Sequence, residues 1–249
     1  MNRKIKISIV NYTNTLPFRW ALKKSELIDK IDLQEDIPSI CAQKLKYRQV
    51  DLALVPVALL NELEEYHLIS DFCIGTNGIV DSVKLYSNVP LDEIRTIHLD
   101  YQSRTSILLT RILCRDKWKV APQFVDAKPG YEQTLENFSA NVVIGDRTFS
   151  LNGKYKYEFD LGEEWKKMTG LPFVFAAWVS YQKLDPVFII EFNSVLKKGV
   201  NNIEQAMKEL KNTNGLSDEL VLNYLTNNIS YNFDESKQKA LKLFLELSK

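Results

Sequence analysis

The sequence predicts an α/β protein with two lobes and a helical C-terminal segment. Three observations support this prediction. Strand and helix patterns alternate over most of the chain, the alternation breaks after residues 87–90, and apolar residues have helical spacing from Asp185 onward. With 249 residues and 45% hydrophobic content, the chain can bury one large core or two small ones.

The first lobe begins with two βα units. In order, the predicted elements are a strand at 4–10, a polar loop at 11–16, a helix at 18–24, a strand at 31–33, a helix from 39 to about 48 and a strand at 50–57. Pro17 suits the first position of a helix, and Ser39 can cap the next one. The run 50–57 is nearly all apolar, as in a strand covered on both faces. These units indicate a mostly parallel sheet.

The second lobe repeats the pattern. Its predicted elements are a strand at 95–99, a helix after Ser103, a strand at 123–125, a helix around 131–138 and a strand at 141–147. Helical spacing in 188–200, 216–225 and 235–247 then predicts the C-terminal helices.

Composition excludes several classes of function. The 32 basic residues balance the 32 acidic ones, so no overall field favours nucleic acid or an anionic membrane. The sequence has no run of about 18 apolar residues, so it predicts no transmembrane span. The first ten residues are typical of a strand and not of a signal peptide, so we expect a cytoplasmic protein. Cys41, Cys73 and Cys114 are widely spaced, which predicts buried free thiols and neither a disulfide framework nor a zinc site.

Three polar segments follow strand ends, and a fourth, 75–84, lies near the boundary between the lobes. They are residues 11–15, 75–84, 100–106 and 145–147. In open α/β sheets, ligands bind beyond the carboxyl ends of the strands. If the lobes face each other, these segments line one cleft.

The segment from Asp100 to Ser106 predicts a binding site for an anion. It links a strand to a helix and brings Ser103, Arg104, Thr105 and Ser106 to the helix N-terminus, where backbone N–H groups have no partner within the helix. The alternative is that Ser103 or Thr105 only caps the helix.

Seven motifs together resemble the chorismate dehydratase family of the futalosine route to menaquinone. They are 14–17 (NTLP), 51–56 (DLALVP), 80–83 (VDSV), 103–106 (SRTS), 144–147 (IGDR), 160–165 (DLGEEW) and 169–178 (TGLPFVFAAW). The C-terminal helices carry no matching motif, and Tyr12-Thr13 stands where the family has an apolar residue.

The resemblance implies a two-lobed fold like that of type II periplasmic binding proteins. Lobe one would comprise 1–84 and 181–249 and lobe two 85–180, with hinges near 84–87 and 178–182. It also implies an enzyme that uses no cofactor or metal and whose partner is a small dicarboxylate, chorismate. Nothing in the sequence indicates an oligomeric state.

The resemblance and the strand-end placement together suggest the site residues. Catalytic roles fall to Asn14 and Ser82, and substrate binding to Ser103, Arg104, Thr105, Ser106, Gly145 and Asp146. The Arg104 guanidinium has two alternatives, to contact the substrate or to brace a neighbouring acid such as Asp146.

The proton acceptor is not evident from the residues. His67 and His98 lie outside the motifs, and an ionised Asp81 would repel a dianionic substrate. The family suggests that the substrate's own enolpyruvyl carboxylate takes the proton. Two other functions stay open: a related dihydroxynaphthoate-forming enzyme of the same pathway, and a non-catalytic binding protein for a small carboxylate.

Overall fold

A computed structural model describes residues 3–210 and 215–249 of the chain. The strands are β1 Ile5–Val10, β2 Ile31–Asp36, β3 Leu52–Pro56, β4 His67–Thr76, β5 Val83–Ser87, β6 Thr96–Leu99, β7 Gln123–Asp126, β8 Ser139–Ile144, β9 Tyr157–Asp160, β10 Phe173–Ser180 and β11 Ser230–Asn232. The α-helices are α1 Leu16–Lys24, α2 Pro38–Lys46, α3 Thr105–Ile112, α4 Leu161–Thr169, α5 Pro186–Val200, α6 Ile203–Leu210, α7 Asp218–Asn223 and α8 Glu235–Leu247. Short π-helical segments, Leu113–Trp118 and Tyr224–Asn228, follow α3 and α7.

The strands form two mixed sheets. The first has the order β11-β4-β10-β3-β1-β2, and the second has the order β7-β6-β8-β5-β9. Strands β1, β2 and β3 are parallel, as are β6, β7 and β8. The remaining pairings, those of β10, β11, β5 and β9, are antiparallel. The prediction of a mostly parallel sheet was therefore wrong. The strands next to the crossings between the lobes are antiparallel to the strands of the βαβ units, and antiparallel neighbours need no crossover helix.

Both crossings between the sheets come earlier in the chain than the predicted hinges. Strand β5 already belongs to the second sheet, so the first crossing lies between Thr76 and Val83. Strand β10 lies in the first sheet, between β3 and β4, although the predicted boundary put it in lobe two. An apolar run predicts a buried strand but does not indicate which sheet contains it. We use lobe one and lobe two below for the parts built on the first and second sheets.

The C-terminal helices pack on lobe one. Helix α5 contacts α1 and β4, and α8 contacts β10. The contact between α1 and α5 is close: a Cβ at Gly199 would lie 2.2 Å from the Pro17 carbonyl oxygen, so only glycine fits there.

Two predicted elements of lobe two differ from the structure. The helix expected around 131–138 is only a short 3₁₀ turn, Tyr131–Gln133. The Asn141 amide donates to the carbonyl oxygens of Tyr131 and Thr134, so a buried side chain stabilises this irregular backbone. The strand expected at 141–147 ends at Ile144, because Gly145 has a φ of +70° and begins a 3₁₀ helix.

The three cysteines are buried and free, as the sequence predicts. Burial raises the pKa of each thiol, to about 12 for Cys41, Cys73 and Cys114 alike. Within the described residues, no helix is both long and apolar enough to span a bilayer.

Candidate active site

A cavity lies between the two lobes and opens partly to solvent. Its walls include the carboxyl-terminal residues of β1, β3 and β8, which are Val10, Pro56 and Ile144. Every predicted site residue except Asp146 lines it, that is Asn14, Ser82, Ser103, Arg104, Thr105, Ser106 and Gly145. The cavity therefore lies where open α/β sheets bind ligands.

The turn that carries Ser82 is fixed by a buried carboxylate. Asp160, at the end of β9, accepts hydrogen bonds from the backbone N–H groups of Val80 and Asp81, the latter at 2.7 Å, and it also caps α4 at Glu163. Burial raises the pKa of Asp160, and the hydrogen bonds from these three N–H groups oppose that rise. The Asp160 carboxylate thus accepts the backbone N–H groups of the turn and holds it in place, with Ser82 in the cavity wall.

The start of α3 forms one wall of the cavity, and Ser103 both lines it and caps the helix. Ser103 Oγ accepts a hydrogen bond from the backbone N–H of Ser106 at 3.0 Å. Ser103 therefore caps the helix, which is the alternative that the sequence left open. It can still contact a ligand, because the same residue lines the cavity.

The hydroxyls of Thr105 and Ser106 differ in what they can offer a ligand. Thr105 Oγ1 donates to the Phe175 carbonyl oxygen at 3.1 Å and accepts from Ala58 N–H at 3.2 Å, so it joins lobe two to lobe one. Its hydroxyl proton is therefore used within the protein, although the sequence predicts a substrate-binding role for Thr105. The buried Ser106 hydroxyl makes no hydrogen bond to another described residue, so it can donate into the cavity.

Arg104 lies at the rim of the cavity and pairs with an acid of lobe one. Its Nη1 is 2.7 Å from Glu62 Oε1, and both side chains are about one-third exposed. The predicted alternative of an Arg104–Asp146 pair is not what the structure shows. The Glu62 pair leaves the Arg104 charge close to the cavity while linking the two lobes.

Asp146 acts between the lobes and not in the cavity wall. Its carboxylate accepts the backbone N–H of Thr13 at 3.2 Å, one residue before Asn14. The neighbouring Tyr12 lines the cavity, and its hydroxyl donates to Gln102 Oε1 of lobe two. These contacts hold the Asn14 loop against lobe two, so Asp146 differs in position from the direct substrate contact predicted for it.

Gly145 allows Tyr12 to lie across the cleft. A Cβ at Gly145 would be 2.8 Å from the Tyr12 ring, and the φ of +70° also favours glycine. The backbone N–H of Gly145 donates to the Ser82 carbonyl oxygen at 2.8 Å. Thus Gly145 ties the turn of Ser82 to the end of β8.

A buried ion pair fixes the loop between β6 and α3. Asp100 is fully buried, and its carboxylate accepts from the N–H groups of Gln102 and Ile144 and from Arg147 Nη2 at 2.6 Å. Burial lowers the pKa of Arg147, and the Asp100 carboxylate more than reverses that effect. The sequence placed Asp100 and Arg147 in polar segments without assigning them this role.

Asn14 and Ser82 each accept a hydrogen bond from a tyrosine that sequence reasoning missed. Tyr224 donates its hydroxyl proton to Ser82 Oγ at 2.7 Å. Tyr231 donates to the Asn14 carbonyl oxygen at 3.0 Å. Both tyrosines are buried and come from the C-terminal segment, where no motif marks them.

The described cavity wall contains neither histidine, and Asp81 is directed away from it. Asp81 Oδ1 pairs with Lys84 Nζ at 2.6 Å, and His98 lies within β6. No group of three or more His, Cys, Asp or Glu side chains among residues 3–210 and 215–249 could hold a metal ion. The polar groups of the wall are hydroxyls, an amide and the Arg104 guanidinium, which suit an anionic ligand.

Comparison with known proteins gives a family match over nearly the whole chain. A family model described as menaquinone biosynthesis matches residues 5–249. A chorismate dehydratase of Thermus thermophilus is 23% identical over 265 residues, which cover 98% of this chain and 95% of that protein. A chorismate dehydratase of Campylobacter jejuni is 25% identical over 249 residues, with 96% of each chain covered.

Solved structures agree on the fold. A protein of Archaeoglobus fulgidus superposes with a TM-score of 0.78 at 16% identity, covering 98% of this chain and 96% of that one. A Candida albicans protein described as having the generic periplasmic binding protein fold superposes with a TM-score of 0.69 at 11% identity, covering 99% and 90%. The predicted two-lobed fold, similar to that of periplasmic binding proteins and with C-terminal helices, is confirmed.

Proposed function

Because this chain belongs to the menaquinone biosynthesis family, we propose that it is a chorismate dehydratase. The observation that carries the proposal is the cavity between the lobes, where residues from six of the seven family motifs meet around hydroxyl, amide and guanidinium groups. The two chorismate dehydratases that resemble it along nearly their full length support the same substrate.

The reaction removes the C3 proton of chorismate first and the C4 hydroxyl after it, and the two together make up the water released. The product is 3-[(1-carboxyvinyl)oxy]benzoate, and formation of its aromatic ring drives the reaction. A carbanion at C3 is conjugated with the ring carboxylate, so negative charge grows on those oxygens before the hydroxyl leaves. Donors fixed at that carboxylate stabilise the transition state more than the substrate.

The donors in the proposed carboxylate site come from lobe two and from the first crossing between the lobes. Ser106 and Ser82 offer hydroxyl protons, and the first turn of α3 offers backbone N–H groups. Ser103, Thr105 and Gly145 shape the wall through the contacts described above. Arg104 adds positive charge at the rim, which favours a dianionic substrate.

We assign the proton acceptor to the substrate itself. The enolpyruvyl carboxylate takes the C3 proton, and Asn14 orients that carboxylate or hydrogen-bonds the departing hydroxyl. An amide suits this position because it can donate and accept without adding charge. Asp146 supports the reaction indirectly, since it holds Thr13 and so the loop that carries Asn14. The enzyme is then a hydro-lyase that uses no cofactor, at the first step of the futalosine route.

One other function has a specific observation in its favour. The structural neighbours include periplasmic binding proteins, so the cavity could hold a small carboxylate without changing it. Incubating chorismate in large excess over the protein separates the two functions. We expect consumption of many equivalents of chorismate per protein molecule, whereas saturable binding with no consumption would favour a binding protein. Turnover of a cyclic futalosine derivative instead would identify the dihydroxynaphthoate-forming enzyme.

A further inference from the structure

A buried tyrosine outside the motifs contacts the proposed catalytic side chains. Tyr224 begins the π-helical segment after α7 and is only 1% exposed. Its ring packs edge-on against Phe149 of lobe two, with ring centroids 5.0 Å apart. Its hydroxyl donates to Ser82 Oγ, which is itself buried. A buried hydroxyl needs a partner, and here the partner is a residue of the cavity wall.

Asn14 lines the same cavity as Ser82. Burial raises the pKa of Tyr224, so its hydroxyl stays protonated and donates to Ser82. Among the described residues, the buried Asn14 Oδ1 has no hydrogen-bond partner, although Asn14 lines the cavity.

The hydrogen bond between Tyr224 and Ser82 has a direction. Tyr224 has a single hydroxyl proton and donates it to Ser82 Oγ. The Ser82 proton is therefore left for another acceptor, and Ser82 faces the cavity. Successive hydrogen bonds in one direction polarise each other, so Ser82 becomes a stronger donor than an isolated serine.

We propose that Tyr224 is a positioning residue that orients Ser82, so that the cavity offers the Ser82 hydroxyl as a donor beside the Asn14 side-chain oxygen, which has no partner among the described residues. The acceptor is Asn14 Oδ1 and the donor is the Ser82 hydroxyl. A substrate that carries both a hydroxyl and a carboxylate satisfies both groups, whereas one with carboxylates alone leaves the Asn14 oxygen unpaired. The proposal rests on the proposed function, since Tyr224 acts through Ser82, a side chain assigned there to catalysis.

A double-mutant cycle tests the proposal. The enzymes are the unmodified protein, Tyr224→Phe, Ser82→Ala and the double variant, each assayed for kcat and KM with chorismate. Tyr224→Phe keeps the ring against Phe149 and loses only the hydroxyl. We expect it to lower kcat about 10-fold and to change KM by less than about 3-fold, because one hydrogen bond to the reacting arrangement is lost. In the Ser82→Ala protein, the same substitution should cause no further loss of kcat.

The matched control is Tyr86→Phe. Tyr86 is also fully buried, and its hydroxyl donates to the Thr148 carbonyl oxygen at 3.2 Å, away from the cavity wall. Tyr86→Phe should leave kcat unchanged with and without Ser82→Ala. Equal losses of kcat from Tyr224→Phe in both proteins would show that Tyr224 only supports packing, which overturns the proposal.

Two further measurements keep the result decisive. If the unmodified protein does not consume chorismate, the proposed function fails. The same four proteins are then compared in their affinity for benzoate, which serves as a carboxylate probe. Non-additive effects of the two substitutions on that affinity support the orienting role of Tyr224, and additive effects overturn it. If Tyr224→Phe does not fold, 3-fluorotyrosine at position 224 replaces it. Its more acidic hydroxyl should change kcat only when Ser82 is present, and equal changes with Ser82→Ala would contradict the proposal.

Discussion

The side chain of Asn14 reaches the cavity as a single neutral amide, so its removal tests the chemistry at one position. We expect Asn14→Ala to lower kcat for chorismate by on the order of 10²-fold or more, because a positioning contact made in the transition state is lost. The KM should change much less. Steady-state kinetics and a thermal unfolding curve separate this loss from a loss of fold.

The control for Asn14 is His98→Gln, since His98 is one of two histidines in the chain and lies in β6 outside the cavity wall. Its activity should remain close to that of the unmodified protein when the substrate supplies its own base. A folded His98→Gln protein without turnover, beside an active Asn14→Ala protein, would contradict both the proton acceptor and the site assignment.

Gly145 tests the contact between the lobes. Gly145→Ala brings a Cβ to 2.8 Å from the Tyr12 ring and also places alanine at a φ of +70°. Gly153→Ala is the matched control, because Gly153 has a φ of +75° with nothing within 4 Å of the added Cβ. Both should lose about 1–2 kcal/mol from backbone strain in urea unfolding. Only Gly145→Ala should lose more stability and lower kcat/KM, and equal effects would refute the role given to the Tyr12 contact.

The sequence predicts the placement of the motif residues at the cavity better than that of residues outside the motifs. Asn14 and Ser82 could be placed at the cavity because each follows a strand end or a lobe crossing. Tyr224 could not, since it falls in an apolar helical pattern typical of core and its partner Ser82 is 142 positions away. For Thr105, the sequence predicts a contact with the substrate because the residue carries a hydroxyl at the start of a helix. It does not indicate that the Phe175 carbonyl oxygen accepts the proton of that hydroxyl.

At the level of elements, α4 is attached to the π-helical segment after α3 by one carboxylate. Glu164 accepts hydrogen bonds from Lys117 Nζ at 2.5 Å and from Trp118 Nε1 at 2.9 Å. Burial raises the pKa of Glu164, and hydrogen bonds from Lys117, Trp118 and Lys167 lower it, with a net fall below its usual 4.5. A carboxylate with a lowered pKa in the folded state stabilises the fold above pH 4.5, and this stabilisation is lost as the pH falls through the folded-state pKa.

Glu164→Gln should therefore destabilise the protein by about 1–3 kcal/mol at pH 7, with a difference that narrows below pH 4.5. Glu163→Gln is the control, because Glu163 is partly exposed and its carboxylate pairs with Lys167 on the same helix. Its effect should stay within about 0.5 kcal/mol at both pH values. Urea unfolding at pH 7 and pH 4 measures both differences, and a Glu164→Gln effect that does not depend on pH would contradict the account.

Elements with strong periodicity were predictable, and those that depend on tertiary contacts were not. Helices α1, α5 and α8 lie where apolar spacing put them. The expected helix at 131–138 failed because the Asn141 side chain, from the next strand, satisfies the carbonyl groups that a helix would have used. No local pattern contains that contact.

At the scale of the whole molecule, the two-lobed fold follows from the alternation of elements, whereas the directions of several strands do not. Strand β10 returns from lobe two and enters the first sheet between β3 and β4, which makes it antiparallel to both. Its apolar residues suit any central strand, so the sequence could not indicate its sheet or direction. That placement nevertheless matters for the site, because Phe175 and Ala176 of β10 form part of the cavity wall.

The central claim is that the cavity between the lobes dehydrates chorismate without help from a cofactor. The most direct test is to treat the purified protein with a chelator, incubate it with chorismate and identify the product by mass spectrometry. The account predicts a product lighter than chorismate by one water with the enolpyruvyl group retained, formed by the unmodified protein and nearly lost with Asn14→Ala. Release of pyruvate with 4-hydroxybenzoate, or no turnover by a folded protein, would contradict it.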